Sequence, residues 1–227
     1  MAPQAESVMD LFRSSGAYLE GHFRLTSGLH SGAYLQSALV LQHPAAAARL
    51  GAMLAEELGR AGVGTVETVA SPALGGLIIG HEVARALGAR FLFAERDPAT
   101  RQMTFRRGFR LREGEAAVVI EDVITTGGSS QEVVGLLRAG GARVLGAGSL
   151  IDRSGGRAAV GVPRVALATL EVPSYDPADC PLCVSGVPIV KPGSRPGEPT
   201  PGSLGAPGSR PGEPTPGSPG APGSRPA

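Results

Sequence analysis

The sequence predicts an α/β fold, a central, mainly parallel sheet flanked by helices. Three observations carry the prediction. Short apolar runs alternate with helical stretches of about ten to fifteen residues between residues 66 and 151, the pattern of a parallel sheet covered on both faces. Two of those runs end in glycine-containing loops, SPALGG (71–76) and TTGGSS (125–130), each opening a helical stretch. About 190 residues of ordinary composition precede a biased tail, enough for one domain with a sizeable core.

The elements follow in order. SVMDLFRSS (7–15) places Val8, Leu11 and Phe12 on one face with Gly16 just beyond, a short amphipathic helix with a glycine stop. Residues 23–36 alternate and turn at Ser27-Gly28, which predicts two strands and a tight turn. The alanine- and leucine-rich run from Pro44 to Ala61 reads as a long helix opened by proline. Strands are expected at Val66–Ala70, Arg90–Ala94, Ala116–Ile120 and Arg143–Ile151, with helices after SPALGG, ending near Gly88, and after TTGGSS. The polar stretch ERDPATRQ (95–102) has no periodicity. From Pro192 the chain is a repeat: Pro192–Ala206 recurs as Pro207–Ala221 with one change, Leu204 against Pro219. It has almost no apolar side chains to offset the entropy of ordering, so residues 1–191 form the domain and 192–227 are expected to be a disordered tail.

Composition excludes several functions. The formal charge of +1 offers no global field for nucleic acid or an acidic membrane surface, and no stretch approaches the apolar length of a membrane span. With no secretory signal pattern either, a cytoplasmic protein is expected. Lys191 is the only lysine, so no mechanism can use a lysine within the folded core. Cys180 and Cys183, spaced as CPLC, would give half a zinc site or a redox pair. No second ligand pair or helix start is evident beside them, and they read as structural or incidental thiols.

The chemistry concentrates in VVIEDVITTGGSS (118–130). A loop between a strand and a helix start presents unpaired N–H groups at the positive end of a helix dipole. Gly127 and Gly128 let the backbone approach an anion, while Thr125, Thr126, Ser129 and Ser130 add hydroxyls, so a phosphate is the natural guest. It is neither GxxxxGK[ST] nor GxGxxG. Glu121 and Asp122, directly before it, would repel an anion unless they held sugar hydroxyls or a divalent cation, which implies a phosphorylated sugar. SPALGG occupies the same position one unit earlier and could cradle a second anion.

VVIEDVITTGGSS closely resembles the signature of the type I phosphoribosyltransferases, in which an acidic pair before a Thr/Gly loop binds phosphoribosyl diphosphate. GHFRLTSGLHSGAYLQ looks like the N-terminal hood of the orotate-specific branch, covering about residues 17–36, SPALGG like its diphosphate loop, and LIDRSGGR like the segment that carries its orotate-contacting arginine. The resemblance implies the type I phosphoribosyltransferase fold. It implies a pentosyl transfer from phosphoribosyl diphosphate to orotate, giving orotidine 5-phosphate and diphosphate in pyrimidine biosynthesis. It implies that Glu121 and Asp122 face the ribose, that Val123, Ile124, Thr125, Thr126, Gly127, Gly128 and Ser129 hold the 5-phosphate side, and that Ala73, Gly75 and Gly76 line the diphosphate loop. Thr125, Arg153 and Tyr34 would contact orotate, the arginine fork meeting its carboxylate. Asp122, Arg96 and Arg101 are the expected catalytic residues, the two arginines neutralising the leaving group from a mobile loop, ERDPATRQMTFRRG, shared across a homodimer. Mg2+ is the implied cofactor, reaching the site through the substrate rather than through protein ligands.

The sequence also departs from the family pattern. The loop has Glu95-Arg96 where an Arg-Lys pair is common and lacks the usual Lys and His; Arg106 and Arg107 belong either to it or to the next strand. Thr26 replaces a basic hood residue, with Arg24 nearby, and small residues replace a lysine in PALGG. Three alternatives stand beside orotate transfer: a phosphoribosyltransferase for another base, a non-enzymatic sensor of phosphoribosyl diphosphate on the same fold, and an interaction protein that acts through the repeat tail, whose deletion is expected instead to leave catalysis intact. The hood and the Arg153 segment oppose the first, and neutral charge without a helix-turn-helix segment opposes the second.

Overall fold

The computed structural model describes residues 7–25 and 28–192. The repeat from residue 193 onward and the predicted turn position Ser27, with Thr26, lie outside the described residues.

Helix α1 (Val8–Ser14) opens on a capping box in which the Ser7 hydroxyl accepts from the Asp10 amide at 3.2 Å and the Asp10 carboxylate accepts from the Ser7 amide at 3.1 Å. Strands β1 (Tyr18–Arg24) and β2 (His30–Leu35) pair as an antiparallel hairpin. β1 begins at Tyr18 rather than Phe23, because an irregularity between Glu20 and Phe23 breaks the period-2 pattern that would have revealed it. α2 (Ser37–Leu41) and α3 (Pro44–Arg60) follow, with Pro44 in the first turn as predicted. β3 (Thr68–Pro72) is displaced two residues beyond the predicted strand and absorbs the start of SPALGG. α4 (Gly76–Leu87) stops at Gly88, whose left-handed φ of 66° favours a residue without a Cβ.

The aperiodic ERDPATRQ stretch is a hairpin rather than a bare loop. β4 (Arg90–Arg96) turns into β5 (Met103–Phe105), pairing Ala94 with Phe105 and Arg96 with Met103. A strand of three residues is too short to display alternation. Arg106 and Arg107 fall outside β5, which answers that uncertainty, and Arg107 pairs with Glu95 at 2.8 Å. β6 (Ala116–Ile124) runs four residues past its predicted end and so carries both acids, and α5 (Gly128–Ala139) starts at Gly128, so Ser129 and Ser130 lie in its first turn. Beyond them come β7 (Arg143–Asp152), β8 (Arg164–Thr169), β9 (Ser174–Tyr175), a 3-10 turn (Pro177–Asp179), α6 (Pro181–Val184) and β10 (Ile189–Val190).

The central sheet has the order β5-β4-β3-β6-β7-β8, parallel except for the β5 edge. Its two faces bury separate clusters. On one, Leu50, Leu54 and Leu58 of α3 and Ile79 and Val83 of α4 pack on Val118, Ile120 and Leu150; on the other, Val133, Val134 and Leu137 of α5 pack on Ala117 and Val119. Each such buried side chain contributes roughly 1.5–3 kcal/mol. α3 and α4 touch closely at Gly51, where a Cβ would stand 2.6 Å from that of Glu82. The hood is a second sheet of order β10-β1-β2-β9. Its outer strands come from the far end of the chain and are two residues each, so the expected hood of residues 17–36 is half of the real one.

Candidate active site

The site forms beyond the C-terminal end of β6, where a parallel sheet leaves a crevice between diverging loops. Alternation along β6 decides where the two acids go. Ile120 faces α3 and α4, so Glu121 turns toward α5 and Asp122 back toward α4. The Ser130 hydroxyl on α5 lies 3.5 Å from Glu121 Oε2, and a Cβ on Gly75 would stand 2.6 Å from Asp122 Oδ1. The two side chains thus lean to opposite sides of β6, yet their carboxyls still interact with each other.

Their electrostatics differ accordingly. Burial, then the neighbouring Asp122 charge, pushes the Glu121 carboxyl well above the ordinary carboxylate range. Among the described residues neither acid takes part in a salt bridge. The loop Thr125–Gly127 follows, with Gly127 at φ 85° as the N-cap of α5. A Cβ there would lie 3.0 Å from the Ala159 carbonyl, so glycine is required both by conformation and by space. A small pocket of about 70 Å³ is lined by Glu121 and by the backbone from Val123 through Ile124, Thr125, Thr126, Gly127 and Gly128 to Ser129, which suits a phosphate.

A larger cleft of about 580 Å³ opens beside it. Asp122, Val123, Thr125, Thr126 and Ser129 form one wall, Gly75 closes the floor, and Tyr34, Gln36 and Arg153 come from the hood side. Arg153 is 9% exposed; one of its Nη2 hydrogens points to Ser31 Oγ at 3.1 Å, and its buried Nε has no hydrogen-bond partner. Burial lowers the guanidinium below its ordinary value, with Tyr34 and Tyr18 opposing, and the charge stays. An unpartnered buried donor on an arginine invites an anionic ligand. Burial, with Asp122, raises the Tyr34 phenol, which is therefore a neutral donor and an aromatic wall.

The structure brings Tyr34, Gly75, Asp122, the 123–129 loop and Arg153 together around two neighbouring pockets. Ala73 and Gly76 sit in the adjacent β3–α4 turn, which contains a cis peptide between Ala73 and Leu74; the Ala73 amide is committed to the Ala94 carbonyl at 2.8 Å. Gly76 packs against Ser71 and the Ile120 carbonyl rather than lining the cleft. Arg96 forms a two-pronged salt bridge with Glu132 at 2.8 and 3.0 Å and reaches within 3.5 Å of Ser129 Oγ, at the rim of the loop. Arg101, φ 61°, lies exposed in the β4–β5 turn. Gln36 and Leu25 also line the cleft and carried no signal in the sequence. Cys180 and Cys183 lie on the hood beside His22 and His30, and α6 begins directly after Cys180, a helix start the sequence did not reveal.

The chain is similar to known proteins. The phosphoribosyl transferase domain model matches residues 37–165. An orotate phosphoribosyltransferase of Heliobacterium modesticaldum is 52% identical over 190 residues, covering 84% of this chain and 98% of that protein. One from Thermotoga petrophila is 50% identical over 188 residues, covering 83% and 98%. The crystal structure of orotate phosphoribosyltransferase from Aeropyrum pernix superposes with a TM-score of 0.60 at 27% identity, over 72% of this chain and 94% of that one.

Proposed function

The chain belongs to the phosphoribosyltransferases and, within them, to the orotate phosphoribosyltransferases; from that premise we propose that it joins orotate to phosphoribosyl diphosphate, releasing orotidine 5-phosphate and diphosphate. The observation that carries this reading is the cleft in which Asp122 and the Thr125–Ser129 loop face Arg153 and Tyr34. One wall suits a ribose 5-phosphate; the other suits a planar anion.

The 5-phosphate takes the amides of the loop and the positive end of α5, and Asp122 accepts from a ribose hydroxyl. Glu121, its carboxyl pushed up by burial and by Asp122, lines the loop pocket. Arg153 donates to the orotate carboxylate through groups left free by the hood, and Tyr34 covers the ring. N1 of orotate attacks the anomeric carbon as the C–O bond to diphosphate breaks, the electron pair leaving with the diphosphate and the N1 proton passing to the diphosphate or to water. Positive charge develops on the ribose beside the Asp122 carboxylate. No protein nucleophile is required, and the rate comes from positioning and electrostatics. A magnesium ion is expected to enter the site with the diphosphate. Bound there, the ion would neutralise the leaving group.

The hairpin turn 97–102 is the lid in this reading, with Arg96 exchanging Glu132 for the diphosphate and Arg101 arriving with the turn. The rim position of Arg96, 3.5 Å from Ser129 Oγ, supports that role. The protein is expected to act as a homodimer in which the lid closes over the partner's site. Mixing inactive Asp122→Asn chains with inactive Arg101→Ala chains should then recover activity that neither has alone. The central test follows orotate consumption spectroscopically with phosphoribosyl diphosphate and magnesium, on wild type and Asp122→Asn. Turnover in wild type, lost in the variant, is the expected result; an inactive wild type or a fully active variant overturns the assignment. No described helix is long and apolar enough to cross a membrane.

A further inference from the structure

Four side chains from three separated segments meet on the outside of the hood: His22 of β1, His30 of β2, and Cys180 and Cys183 at the start of α6. Arg24 pairs with His30 across the hairpin, so His22, two residues from Arg24, shares a sheet face with His30. The CPLC spacing then turns both thiols toward that face. His22 Nε2 lies 3.0 Å from His30 Nδ1, 3.5 Å from Cys180 Sγ and 3.8 Å from Cys183 Sγ, and Cys183 Sγ lies 3.3 Å from His30 Nδ1. All four donor atoms fall within 4.8 Å of one another.

The four separations of 3.0 to 3.8 Å are close to the edges of a tetrahedron. With Zn–S near 2.3 Å and Zn–N near 2.0 Å, the edges of a regular site are about 3.5 Å between S and N and about 3.3 Å between two N atoms. The surroundings match as well. His22, His30 and Cys180 are 2%, 7% and 0% exposed, while Cys183 is exposed and offers an entry path. The two thiols form no disulfide. His22 Nδ1 donates to the Val187 carbonyl at 2.8 Å, which fixes the tautomer and leaves the Nε2 lone pair directed at the other three donors. An orienting carbonyl behind a ligating imidazole is the usual outer support of a structural zinc site.

We propose that His22, His30, Cys180 and Cys183 form a closed Cys2His2 structural zinc site that fastens the C-terminal segment to the hood. β9 and β10 are two residues each, and such short strands hold poorly by pairing alone. Both join the hood at the ligands themselves, β10 through His22↔Ile189 and β9 through His30↔Tyr175. Ser31, the residue after His30, accepts from Arg153, so the metal also steadies the support of the cleft's arginine; this last link, unlike the site itself, rests on the proposed function.

The test uses the full chain purified under reducing conditions without chelator, in buffer free of magnesium, with metal content read by mass spectrometry. Wild type should hold about one zinc per chain and Cys180→Ser/Cys183→Ser nearly none. Cobalt(II) loading of wild type should give the visible bands of tetrahedral cobalt and thiolate-to-cobalt charge transfer, and exposed Cys183→Ser alone should weaken both without unfolding the chain. A wild type that takes up no zinc when zinc is supplied, a double variant that keeps its full zinc, or octahedral cobalt without thiolate bands overturns the site. Recovery of Cys180–Cys183 as a disulfide that zinc does not displace overturns it in favour of a redox pair. Each readout is independent of catalysis, so a failed zinc site and a failed transferase reading are told apart.

Discussion

The two ends of β6 carry acids under opposite conditions. Glu115, at the start, is buried, which alone would raise its pKa, but Arg90, the Thr68 hydroxyl and the Arg112 amide overturn that and bring it down to about 2. Glu121, at the other end, is pushed up by burial and by Asp122, and neither of that pair has a salt-bridge partner among the described residues. One strand thus begins in a satisfied charge network and ends in an unsatisfied one. Satisfied charge fastens β3, β4 and β6 together; unsatisfied charge waits for a ligand.

Substitutions can break that contrast. The largest effect should come from Asp122→Asn, which removes the anion facing the developing ribose charge: kcat/KM should fall at least about a hundredfold, roughly 2.7 kcal/mol, with thermal stability unchanged or raised. A stability loss matching the activity loss would show that Asp122 belongs to the structural class after all. Glu115→Gln should do the reverse, costing about 2 kcal/mol of stability once the partial exposure of Arg90 is allowed for, with kcat/KM of the surviving folded protein nearly unmoved. The sign follows from linkage. A depressed carboxylate stabilises the fold above its unfolded value near 4.5, and that contribution fades as pH falls toward about 2. Denaturant midpoints measured from pH 6 downward should therefore converge for wild type and variant.

Gly75→Ala sharpens the active end. Its Cβ would collide with the Asp122 carboxylate, a movable group, so turnover should drop about tenfold while the fold survives. Unchanged turnover would mean that Asp122 does not act from its present position. The smallest effect is expected from Glu121→Gln, which keeps the shape of a carboxyl that burial and Asp122 already push toward its neutral form: activity should stay within about threefold of wild type. A carboxyl with a raised folded pKa stabilises most at low pH and loses that contribution as pH climbs from about 4.5 through the raised value. The glutamine variant should lack this decline, visible as a flatter stability profile above pH 4.5.

Much of the fold was legible because its information is local. The helices α3, α4 and α5 show period, proline start and glycine stop within their own residues, and the parallel sheet follows from their alternation with apolar runs. β5, β8, β9 and β10 were not legible: two or three residues cannot show a period, and half-buried β8 lacks a clean one. The loop before α5 was legible for the same reason as the helices, being one uninterrupted strand–loop–helix passage from Val118 to Ser130.

By itself, then, the sequence determined the α/β class, the site at the end of β6 and the acids before it, since backbone dihedrals, glycine and hydroxyl donors act over a few residues. Resemblance added the roles of Tyr34 and Arg153. Only the tertiary structure decided that Arg96 rests on Glu132, and that Cys180 meets His22 across 158 residues. Contacts of that span leave no periodic trace in either partner; they exist because burying the two central faces and pairing the hood strands brings the chain's two ends together.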